Sequence, residues 1–477
     1  MGYDGAMFEV ALPQSLTGTR IHLVGIKGTG MAALAEILKA RGASITGSDT
    51  GEQFYTDQIL HSLGVSYAEQ FARENLQADT NVVVHSAAYD PESHVELVEA
   101  RRRGLPVLTY PEALGLISSG MPSVAIAGVH GKTTTAALCG VIAREVGLPG
   151  TVLTGSAMRD HGGRATMVAG NDVFIAETCE YRRGFLSFQP QTLVVTNIEA
   201  DHLDYFRDRE DVISAFEEFA GKLPQGGRLI YCADDPGANE LAQRIGASRP
   251  GIMSVPYGEA ASGDGRVSFV SSGDGELRFT VGRQPFSLHV PGRHNALNTA
   301  AALLAVESAS RLAGRHLAPA LFASRARVAV DRFSGTRRRS EVVGEAGGVT
   351  IVDDYAHHPT AIRSTLAGFH EFYAGRRIIL DFMSHTYSRT RALLDEFATV
   401  LAEADVLILH RIYSSARESN PGGITGQTLA DAVRARSSHP VDVHYEEEVS
   451  DAVPLVESIV RPGDVFVTMG AGSNWQL

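Results

Sequence analysis

The stretch Ala125-Ile-Ala-Gly-Val-His-Gly-Lys-Thr-Thr-Thr135 joins an apolar, strand-like run to a glycine loop and the start of a small-residue helix. Gly128 and Gly131 let backbone amides curl around phosphate groups. Lys132 can neutralise the β- and γ-phosphate oxygens of a nucleotide, and the Thr133 hydroxyl can reach a magnesium ion. Because strand, loop, Lys-Thr pair and helix occur in this order, the stretch predicts a phosphate-binding loop within an α/β domain.

Similar apolar runs alternate with longer alanine- and leucine-rich stretches on both sides of this loop. The strand-like runs are residues 21–26, 81–85, 124–127, 173–176 and 193–196. Short buried strands separated by helices predict parallel sheets and an α/β fold class.

The region 251–292 has a different pattern, with turns between short alternating strands. Such a pattern predicts an antiparallel insertion, and Gly263-Asp-Gly265 and Gly273-Asp-Gly275 are its expected hairpin turns.

The length predicts several domains. A chain of 477 residues exceeds what one hydrophobic core supports, so we expect about three units of about 150 residues each. The pattern breaks at residues 109–122 and again near 328–332. We therefore predict domains at residues 1–118, 119–328 and 329–477.

Composition narrows the class of protein. With 44% hydrophobic and 20% charged residues and no apolar run near the roughly 20 residues that span a bilayer, we expect a globular protein without a membrane partner. The opening MGYDGAMFEV lacks the basic start and apolar stretch of a signal peptide, which predicts a cytoplasmic location.

The net charge of −13 argues against nonspecific nucleic-acid binding, and the arginines at 101–103 are typical of a solvated helix end. Three cysteines without metal spacing predict reduced thiols.

A second glycine loop, Lys27-Gly-Thr-Gly-Met31, also follows a strand-like run and precedes a helical stretch. Gly28, Gly30 and Ala33 satisfy the G-x-G-x-x-A spacing. Asp49 closes the next strand-like run about 20 residues on, as in a dinucleotide site. A nucleotide diphosphate is the broader ligand class that fits this loop, and a tight turn without a ligand is the alternative.

Polar residues end the strands that follow the phosphate loop. Glu177 closes one run and His202 follows another, and ligands of open α/β sheets gather at the carboxyl ends of strands. Both residues could hold Mg²⁺, for which a carboxylate is the more usual ligand, or they could be ordinary strand-end residues. Asn295 and Asn298 would share one helical face and could bond an adenine edge, although helix capping also fits Asn295.

The C-terminal third has two clusters of ionisable groups after apolar runs, Asp353-Asp-Tyr-Ala-His-His-Pro359 and Ser384-His-Thr-Tyr-Ser-Arg389. Such clusters suit anion capture and proton handling, and His357, His358 and His385 together with Arg389 predict a carboxylate-binding corner. Taken singly, each of these three histidines is more often structural than catalytic. The neighbouring arginines Arg338 and Arg339 could supply positive charge to a transferring phosphoryl group.

In order and spacing, these motifs resemble the Mur ligase family over essentially the whole chain. The family's nucleotide-sugar motif is similar to residues 25–31 with Gly47-Ser-Asp49, and its ATP loop to residues 128–135. Its later motifs are similar to residues 197–202, 294–298 and 353–359, and the ending Met469-Gly-Ala-Gly-Ser-Asn-Trp475 is similar to the alanine-adding branch. The resemblance implies three domains: a Rossmann-like N-terminal domain, a P-loop central ATPase domain and a Rossmann-like C-terminal domain.

The resemblance also implies a reaction. It is the ATP- and Mg²⁺-dependent joining of L-alanine to the lactyl carboxylate of UDP-N-acetylmuramate through an acyl phosphate. This reaction belongs to peptidoglycan precursor synthesis, and so to cell wall biogenesis, cell shape and cell division. ATP and Mg²⁺ are expected between the central and C-terminal domains, and the enzyme is expected to be a monomer or weak homodimer.

Residue by residue, the resemblance implies four overlapping sets. The nucleotide set is Gly128, His130, Gly131, Lys132, Thr133, Thr134, Asn295, Asn298, Arg339 and Asp354. The acceptor and amino-acid set is Gly28, Thr29, Gly30, Met31, Asp49, Ser86, His357 and Arg389. The Mg²⁺ set is Thr133, Glu177 and His202. The residues expected to act in the reaction are Lys132, Glu177, His202, Arg339, His357 and Arg389, with His357 a candidate base for the incoming amine.

Several positions depart from the family pattern. Glu177-Thr-Cys-Glu-Tyr-Arg182 replaces Glu-Ala-Asp-Glu-Ser-Asp, which reverses a charge at Arg182 and puts the muramate contacts in doubt. Ser384 and Thr386 replace a proline and an arginine, and Ser340 replaces a phenylalanine. Without an arginine at Thr386, one candidate anchor for the amino-acid carboxylate is missing, so the choice among alanine, glycine and serine stays open.

Three other functions compete with this interpretation. A ligase that joins a preformed tripeptide to the same acceptor, for cell-wall recycling, is the nearest alternative. An oxidoreductase using the Gly28 loop for NAD would leave Lys132 and Thr133 unexplained. A nucleotide-binding regulator would bind ATP without acceptor-dependent turnover.

Overall fold

The computed structural model describes residues 15–200, 205–273, 275–414, 422–436 and 441–477. Contacts among the described residues divide the chain into two compact units. The first takes in residues up to Glu199 together with Glu210–Pro256 and Ala301–Phe322, and the second takes in the rest.

The first unit begins with a five-stranded parallel sheet in the order β3-β2-β1-β4-β5. Its strands are β1 (Arg20–Val24), β2 (Ser44–Ser48), β3 (Ser66–Ala68), β4 (Val82–His85) and β5 (Val107–Thr109). Its helices are α1 (Thr29–Ala40), α2 (Thr56–Ser62), α3 (Val95–Arg102) and α4 (Tyr110–Ser119). The helices connect parallel strands and bury apolar side chains against them, as the alternation of apolar runs predicts. The glycine loop lies between β1 and α1, at the carboxyl edge of the sheet.

The arginines at 101–103 lie where α3 ends, as expected from the sequence. Arg102 Nε lies 2.7 Å from Glu99 Oε2, and Arg101 pairs with Glu92. Cationic side chains near a helix C-terminus also interact favourably with the helix dipole.

The second sheet of this unit has seven strands in the order β12-β11-β10-β6-β9-β7-β8. Its strands are β6 (Ser123–Ala127), β7 (Gly150–Met158), β8 (Arg164–Val168), β9 (Val173–Glu177), β10 (Thr192–Val195), β11 (Arg228–Cys232) and β12 (Met253–Tyr257). The helices α5 (Lys132–Val146), α6 (Arg209–Ala220) and α7 (Pro236–Ser248) lie in this part of the chain. β6 is paired in parallel with β9 and β10, so the carboxyl ends of these three strands lie side by side. The phosphate loop between β6 and α5 therefore has the ends of β9 and β10 as neighbours.

Residues 267–288 form a three-stranded antiparallel sheet of β13 (Val267–Gly273), β14 (Glu276–Val281) and β15 (Gln284–Leu288), which confirms the predicted insertion. The prediction of a hairpin turn at residues 263–265 is wrong. Gly263–Gly265 forms a single 3-10 turn before β13, whereas the second hairpin turns at Gly282, which has a φ of 59°. A glycine at a positive φ satisfies the tight turn as well as the Gly-Asp-Gly pattern does, and the local sequence does not distinguish them.

The second unit also contains a six-stranded sheet in the order β16-β17-β21-β18-β19-β20. Its strands are β16 (Glu341–Ala346), β17 (Val349–Asp354), β18 (Ile378–Met383), β19 (Val406–Leu409), β20 (Asp442–Tyr445) and β21 (Val465–Gly470). All pairs are parallel except β16 with β17. The remaining helices are α8 (Arg293–Leu312), α9 (Pro319–Asp331), α10 (Pro359–Phe372), α11 (Tyr387–Ala392), α12 (Leu394–Leu401), α13 (Gly426–Arg436) and α14 (Val453–Ile459).

The fold class is the α/β class that the sequence predicts, with parallel sheets connected by helices. Within the described ranges, no helix combines the length and apolar character needed to cross a membrane.

Candidate functional site

The phosphate loop is shaped by two glycines in conformations that L side chains rarely adopt. Gly128 has a φ of 133°, and Gly131 has a φ of 81° at the N-cap of α5. A Cβ on Gly128 would lie 2.0 Å from Oγ1 of Thr196, so only glycine lets the loop pass the end of β10. The side-chain oxygen of Asn197 accepts a hydrogen bond from the His130 amide at 2.8 Å and fixes the loop from the same strand end.

Lys132, the first residue of α5, is held by a buried carboxylate. Its Nζ lies 3.0 Å from Oε2 of Glu180 and 3.2 Å from the carbonyl oxygen of Val129. Burial alone would lower the pKa of Lys132, but the adjacent Glu180 carboxylate outweighs it and leaves the pKa raised. The lysine is therefore a fixed cation beside the loop.

Thr133 and Glu177 bring two oxygen donors together at the end of β9. The Thr133 hydroxyl donates to Oε1 of Glu177 at 3.1 Å, and the Gly155 amide donates to its other oxygen at 2.6 Å. A Cβ on Gly155 would lie 2.6 Å from both oxygens of Glu177, so glycine is required for this approach. A hydroxyl next to a carboxylate fits the oxygen preference of Mg²⁺.

His130, the loop residue before Gly131, has an acidic neighbour on the strand-end segment that follows β10. Its Nε2 lies 2.5 Å from Oε1 of Glu199. His202, which the sequence predicts as a metal ligand on that same segment, lies outside the described residues. Thr134 is buried in the first turn of α5.

A cavity of about 220 Å³ in the first unit joins the glycine loop after β1 to Glu177. Gly30, Tyr110 and Glu177 line it, and a Cβ on Gly30 would lie 3.0 Å from the Tyr110 ring. Cys179, which stands where the family has an aspartate, also lines the cavity. Desolvation by the cavity walls, with the Glu180 carboxylate adding to it, raises the pKa of this thiol to about 11, so the residue is a neutral thiol at neutral pH.

The N-terminal glycine loop is held mainly by Asp49, which follows β2. The Asp49 carboxylate accepts hydrogen bonds from the Lys27 amide at 2.7 Å and from the Tyr89 hydroxyl at 3.3 Å. It therefore organises the loop backbone, a role that the dinucleotide spacing alone does not reveal. Thr29 accepts from the Tyr55 hydroxyl at 3.0 Å.

Gly28, Met31 and Ser86 complete the predicted acceptor residues in this unit. Gly28 stands at the N-cap of α1, and Met31 is buried in its first turn. Ser86 follows β4, and a Cβ on Gly25 would lie 3.0 Å from the Ser86 Cβ, so the ends of β1 and β4 lie close together.

Asn295 and Asn298 share one face of α8, as predicted. Nδ2 of Asn298 donates to Oδ1 of Asn295 at 3.0 Å, and Nδ2 of Asn295 donates to the carbonyl oxygen of Pro291 at 2.7 Å. Both side chains are buried. Asn295 thus holds the turn before the helix by donating to a carbonyl, and not by accepting from a helix amide as an N-cap residue does.

Arg338 and Arg339 flank the ring of Tyr355, with guanidinium carbons 5.1 Å and 5.3 Å from its centroid. Arg338 Nε is also 3.1 Å from Oδ2 of Asp353. Asp354 accepts from the Ser340 amide at 2.6 Å and from the Ala356 amide at 2.7 Å, so its carboxylate ties β17 to the turn before β16.

His357, His385 and Arg389 lie together in the second unit. The rings of His357 and His385 are 6.0 Å apart, and Nη1 of Arg389 lies 3.4 Å from Nδ1 of His385. Tyr413 stacks on the other side, with its ring 5.9 Å from that of His385. These four residues are called the amino-acid corner below. His358 stands at the N-cap of α10, where its Nδ1 accepts from the Thr360 amide at 3.4 Å.

Sequence reasoning missed three residues of these sites. Glu180 lies in the stretch 177–182 that departs from the family pattern, but its pairing with Lys132 spans 48 positions and no local spacing predicts it. Asn197 begins the motif at residues 197–202, and no sequence pattern indicates its bond to the phosphate loop. The only sequence signal for Gly155 is a glycine inside the strand-like run of β7, which is typical of a close backbone approach.

Three family models match successive parts of the chain. They are the Mur ligase family catalytic domain at residues 20–121, the Mur ligase middle domain at 126–306 and the Mur ligase glutamate ligase domain at 338–472.

Whole-chain relatives agree with these matches. A UDP-N-acetylmuramate–L-alanine ligase of Treponema pallidum is 48% identical over 469 residues, covering 98% of this chain and 96% of the relative. The protein of that name from Borreliella burgdorferi is 36% identical, covering 96% and 97%. The crystal structure of the UDP-N-acetylmuramate–alanine ligase of Thermotoga maritima has the same fold, with a TM-score of 0.74 at 23% identity and 96% of each chain covered. The chain therefore belongs to the Mur ligase family.

Proposed function

We propose that this chain joins L-alanine to the lactyl carboxylate of UDP-N-acetylmuramate at the expense of ATP, a step of peptidoglycan precursor synthesis. The observation that carries the proposal is the 48% identity, over nearly the whole chain, to a relative that bears the name of this activity. The lysine-containing phosphate loop supports the use of ATP, on which ligases of this family depend.

In the first half of the reaction, an oxygen of the lactyl carboxylate attacks the γ-phosphorus of ATP. The bond from that phosphorus to the β-γ bridging oxygen breaks, and the products are an acyl phosphate and ADP. Lys132 and the loop amides stabilise the charge on the transferring group. Lys132 leaves Glu180 for the phosphate oxygens, which keeps the cation paired throughout.

In the second half, the uncharged amine of L-alanine attacks the activated carbonyl carbon. A C–N bond forms, the C–O bond to phosphate breaks, and inorganic phosphate leaves. The amine proton passes to a base, for which His357 is the candidate in the amino-acid corner. The guanidinium of Arg389 binds the carboxylate of L-alanine.

The oxygen donors of Thr133 and Glu177 fit Mg²⁺, and His202 is the third candidate ligand. When bound, the ion supplies charge neutralisation for the phosphate groups. Asn295 and Asn298 bind the adenine edge, and Arg339 and Asp354 contribute near the phosphates and ribose. The N-terminal loop with Asp49 and Ser86 binds the UDP part of the acceptor.

We also propose bounds for the three domains and a cellular location for the enzyme. The domains are residues 1–118 for the nucleotide sugar, 119–328 for ATP and 329–477 for the amino acid. Both nucleotide substrates belong to the cytoplasm, where we place the enzyme, as a monomer or weak homodimer.

The test is phosphate release from Mg-ATP with UDP-N-acetylmuramate, on adding L-alanine, glycine, L-serine or the tripeptide of cell-wall recycling in turn. The proposal expects fastest release and an alanyl adduct with L-alanine. Release that requires the tripeptide would assign the recycling reaction instead, and absence of release with every amine would remove the ligase assignment.

A further inference from the structure

A charged pair is buried in the middle of the C-terminal sheet, where the mechanism above does not use it. Asp381 lies inside β18, whose six residues are all buried. Its Oδ2 is 2.7 Å from Nε2 of His410, which directly follows β19, and both side chains are fully inaccessible to solvent. The core on this face of the sheet is apolar, with Ile379, Ile408 and Phe466 among its members.

Asn474 completes the cluster from a single 3-10 turn that follows β21. Its Nδ2 lies 2.8 Å from Oδ1 of Asp381 and 3.1 Å from the carbonyl oxygens of Asp381 and Met469. On the other side, Nδ1 of His410 lies 2.9 Å from the carbonyl oxygen of Glu446, just after β20. We call Asp381, His410 and Asn474 the strand-end network.

The strand-end network joins four neighbouring parallel strands near their carboxyl ends. Asp381 belongs to β18, His410 follows β19, Glu446 follows β20, and Met469 belongs to β21. Burying an ion pair costs several kcal/mol per ion in desolvation, and apolar residues of similar volume are often at least as stable. A gain in stability therefore does not explain why an ion pair is buried here. A need to fix the geometry of the strand ends does explain it.

The loops that leave these strand ends carry the amino-acid corner. The Tyr413 amide donates to the Ser384 carbonyl at 2.8 Å, and the Thr386 amide donates to the Tyr413 carbonyl at 3.0 Å. The segment after β19 is thereby paired with the segment after β18 that holds His385 and leads into Arg389. Asp381 and His410 lie at the bases of these two paired segments.

We infer that Asp381, His410 and Asn474 are positioning residues for the amino-acid substrate, because they fix the strand ends from which the amino-acid corner projects. The inference rests on the proposed function. It assigns no contact with substrate to the three side chains. They act through His385, Tyr413 and Arg389.

The test compares steady-state constants of the double variant Asp381→Leu/His410→Leu with those of the unaltered enzyme. The double variant removes both charges together, and Nδ2 of Asn474 keeps its two carbonyl partners, so we expect a folded protein. The KM for L-alanine should rise about tenfold, while the KM values for ATP and UDP-N-acetylmuramate stay within about twofold. A KM for L-alanine equal to that of the unaltered enzyme would overturn the inference.

A conservative variant and a matched control separate positioning from simple stabilisation. Asp381→Asn keeps hydrogen-bonding groups toward His410 and Asn474. This variant should therefore retain most of the affinity for L-alanine that the double variant loses. Asp464→Asn breaks the Arg377–Asp464 pair of 2.7 Å at the opposite ends of β18 and β21, and should lower Tm without changing this KM. A rise in KM with Asp464→Asn as large as with the double variant would also overturn the inference.

A double variant that does not fold and an unaltered enzyme that does not turn over are interpreted separately. If the double variant does not fold by circular dichroism, Asn474→Ala decides, with a rise of about threefold expected and no rise contradicting the inference. If the unaltered enzyme releases no phosphate with L-alanine, the proposed function has failed, whereas normal turnover with unchanged variants is a failure of the inference alone.

Discussion

Lys132 Nζ and Glu180 Oε2 lie 3.0 Å apart, and the glutamate side chain is 2% exposed. The Glu180 carboxylate is the counter-ion of Lys132 in this structure. We propose that a nucleotide phosphate takes over this role when ATP binds. In the proposed mechanism, binding of ATP replaces one anionic partner of the lysine by another, and most of the cation is already removed from solvent before the nucleotide arrives.

Glu180→Gln leaves Lys132 buried with only carbonyl partners. We expect the free energy of unfolding to fall by about 3 kcal/mol, because an uncompensated buried charge remains. Mg-ATP supplies a new anion, so its addition should raise Tm more in this variant than in the unaltered protein, as measured by thermal unfolding. Glu210→Gln, which breaks an exposed pair with Arg244, is the control and should cost less than about 1 kcal/mol. An equal nucleotide-induced rise in both proteins would contradict the account.

Glu177→Gln removes the charge of the proposed magnesium ligand and keeps its shape. We expect the Mg²⁺ concentration for half-maximal phosphate release to rise about tenfold or more, since loss of a carboxylate weakens a hard-cation site. A Mg²⁺ titration at saturating ATP measures this. Glu457→Gln, on the exposed side of α14, should leave the titration unchanged, and an unchanged curve for Glu177→Gln would remove this residue from the metal site.

Thr386 has a φ of 66°, a conformation that costs a β-branched residue strain energy. Thr386→Gly should therefore raise the free energy of unfolding by about 1 kcal/mol, measured by urea denaturation. The control Thr399→Gly, in the exposed part of helix α12, should lower it by about 1 kcal/mol. A loss of stability with Thr386→Gly would show that the threonine side chain is needed in this turn.

Stability should depend on pH through His410. Burial alone would lower its pKa, but Asp381 outweighs burial and raises the pKa above the ordinary 6.5. A raised folded-state pKa contributes stability that is complete below 6.5 and is lost as pH rises through the folded-state value. The unfolding free energy of the unaltered protein, minus that of Asp381→Leu/His410→Leu, should therefore fall as the pH is raised above 6.5. Asp381 and both the backbone carbonyl and the carboxylate of Glu446 favour the protonated form of this histidine, and a difference that stays constant would contradict the assignment.

Sequence alone predicts most of what is local in this protein. The phosphate loop is recognisable because its strand, glycines, Lys132 and helix are contiguous, and Asn295 and Asn298 share a face because helical spacing requires it. What the sequence does not show depends on parallel strands bringing distant residues together. Glu180 meets Lys132, and Asp381 meets His410, through pairings that no periodicity encodes.

The central claim is that a carboxylate of UDP-N-acetylmuramate is activated by phosphorylation and then joined to L-alanine. Its most direct test uses acceptor labelled with oxygen-18 in the lactyl carboxylate, with ATP, Mg²⁺ and L-alanine, and mass spectrometry of the released phosphate and the adduct. The account predicts one labelled oxygen in each phosphate released and an alanyl adduct that keeps the other. Unlabelled phosphate, or label appearing in AMP, would contradict it.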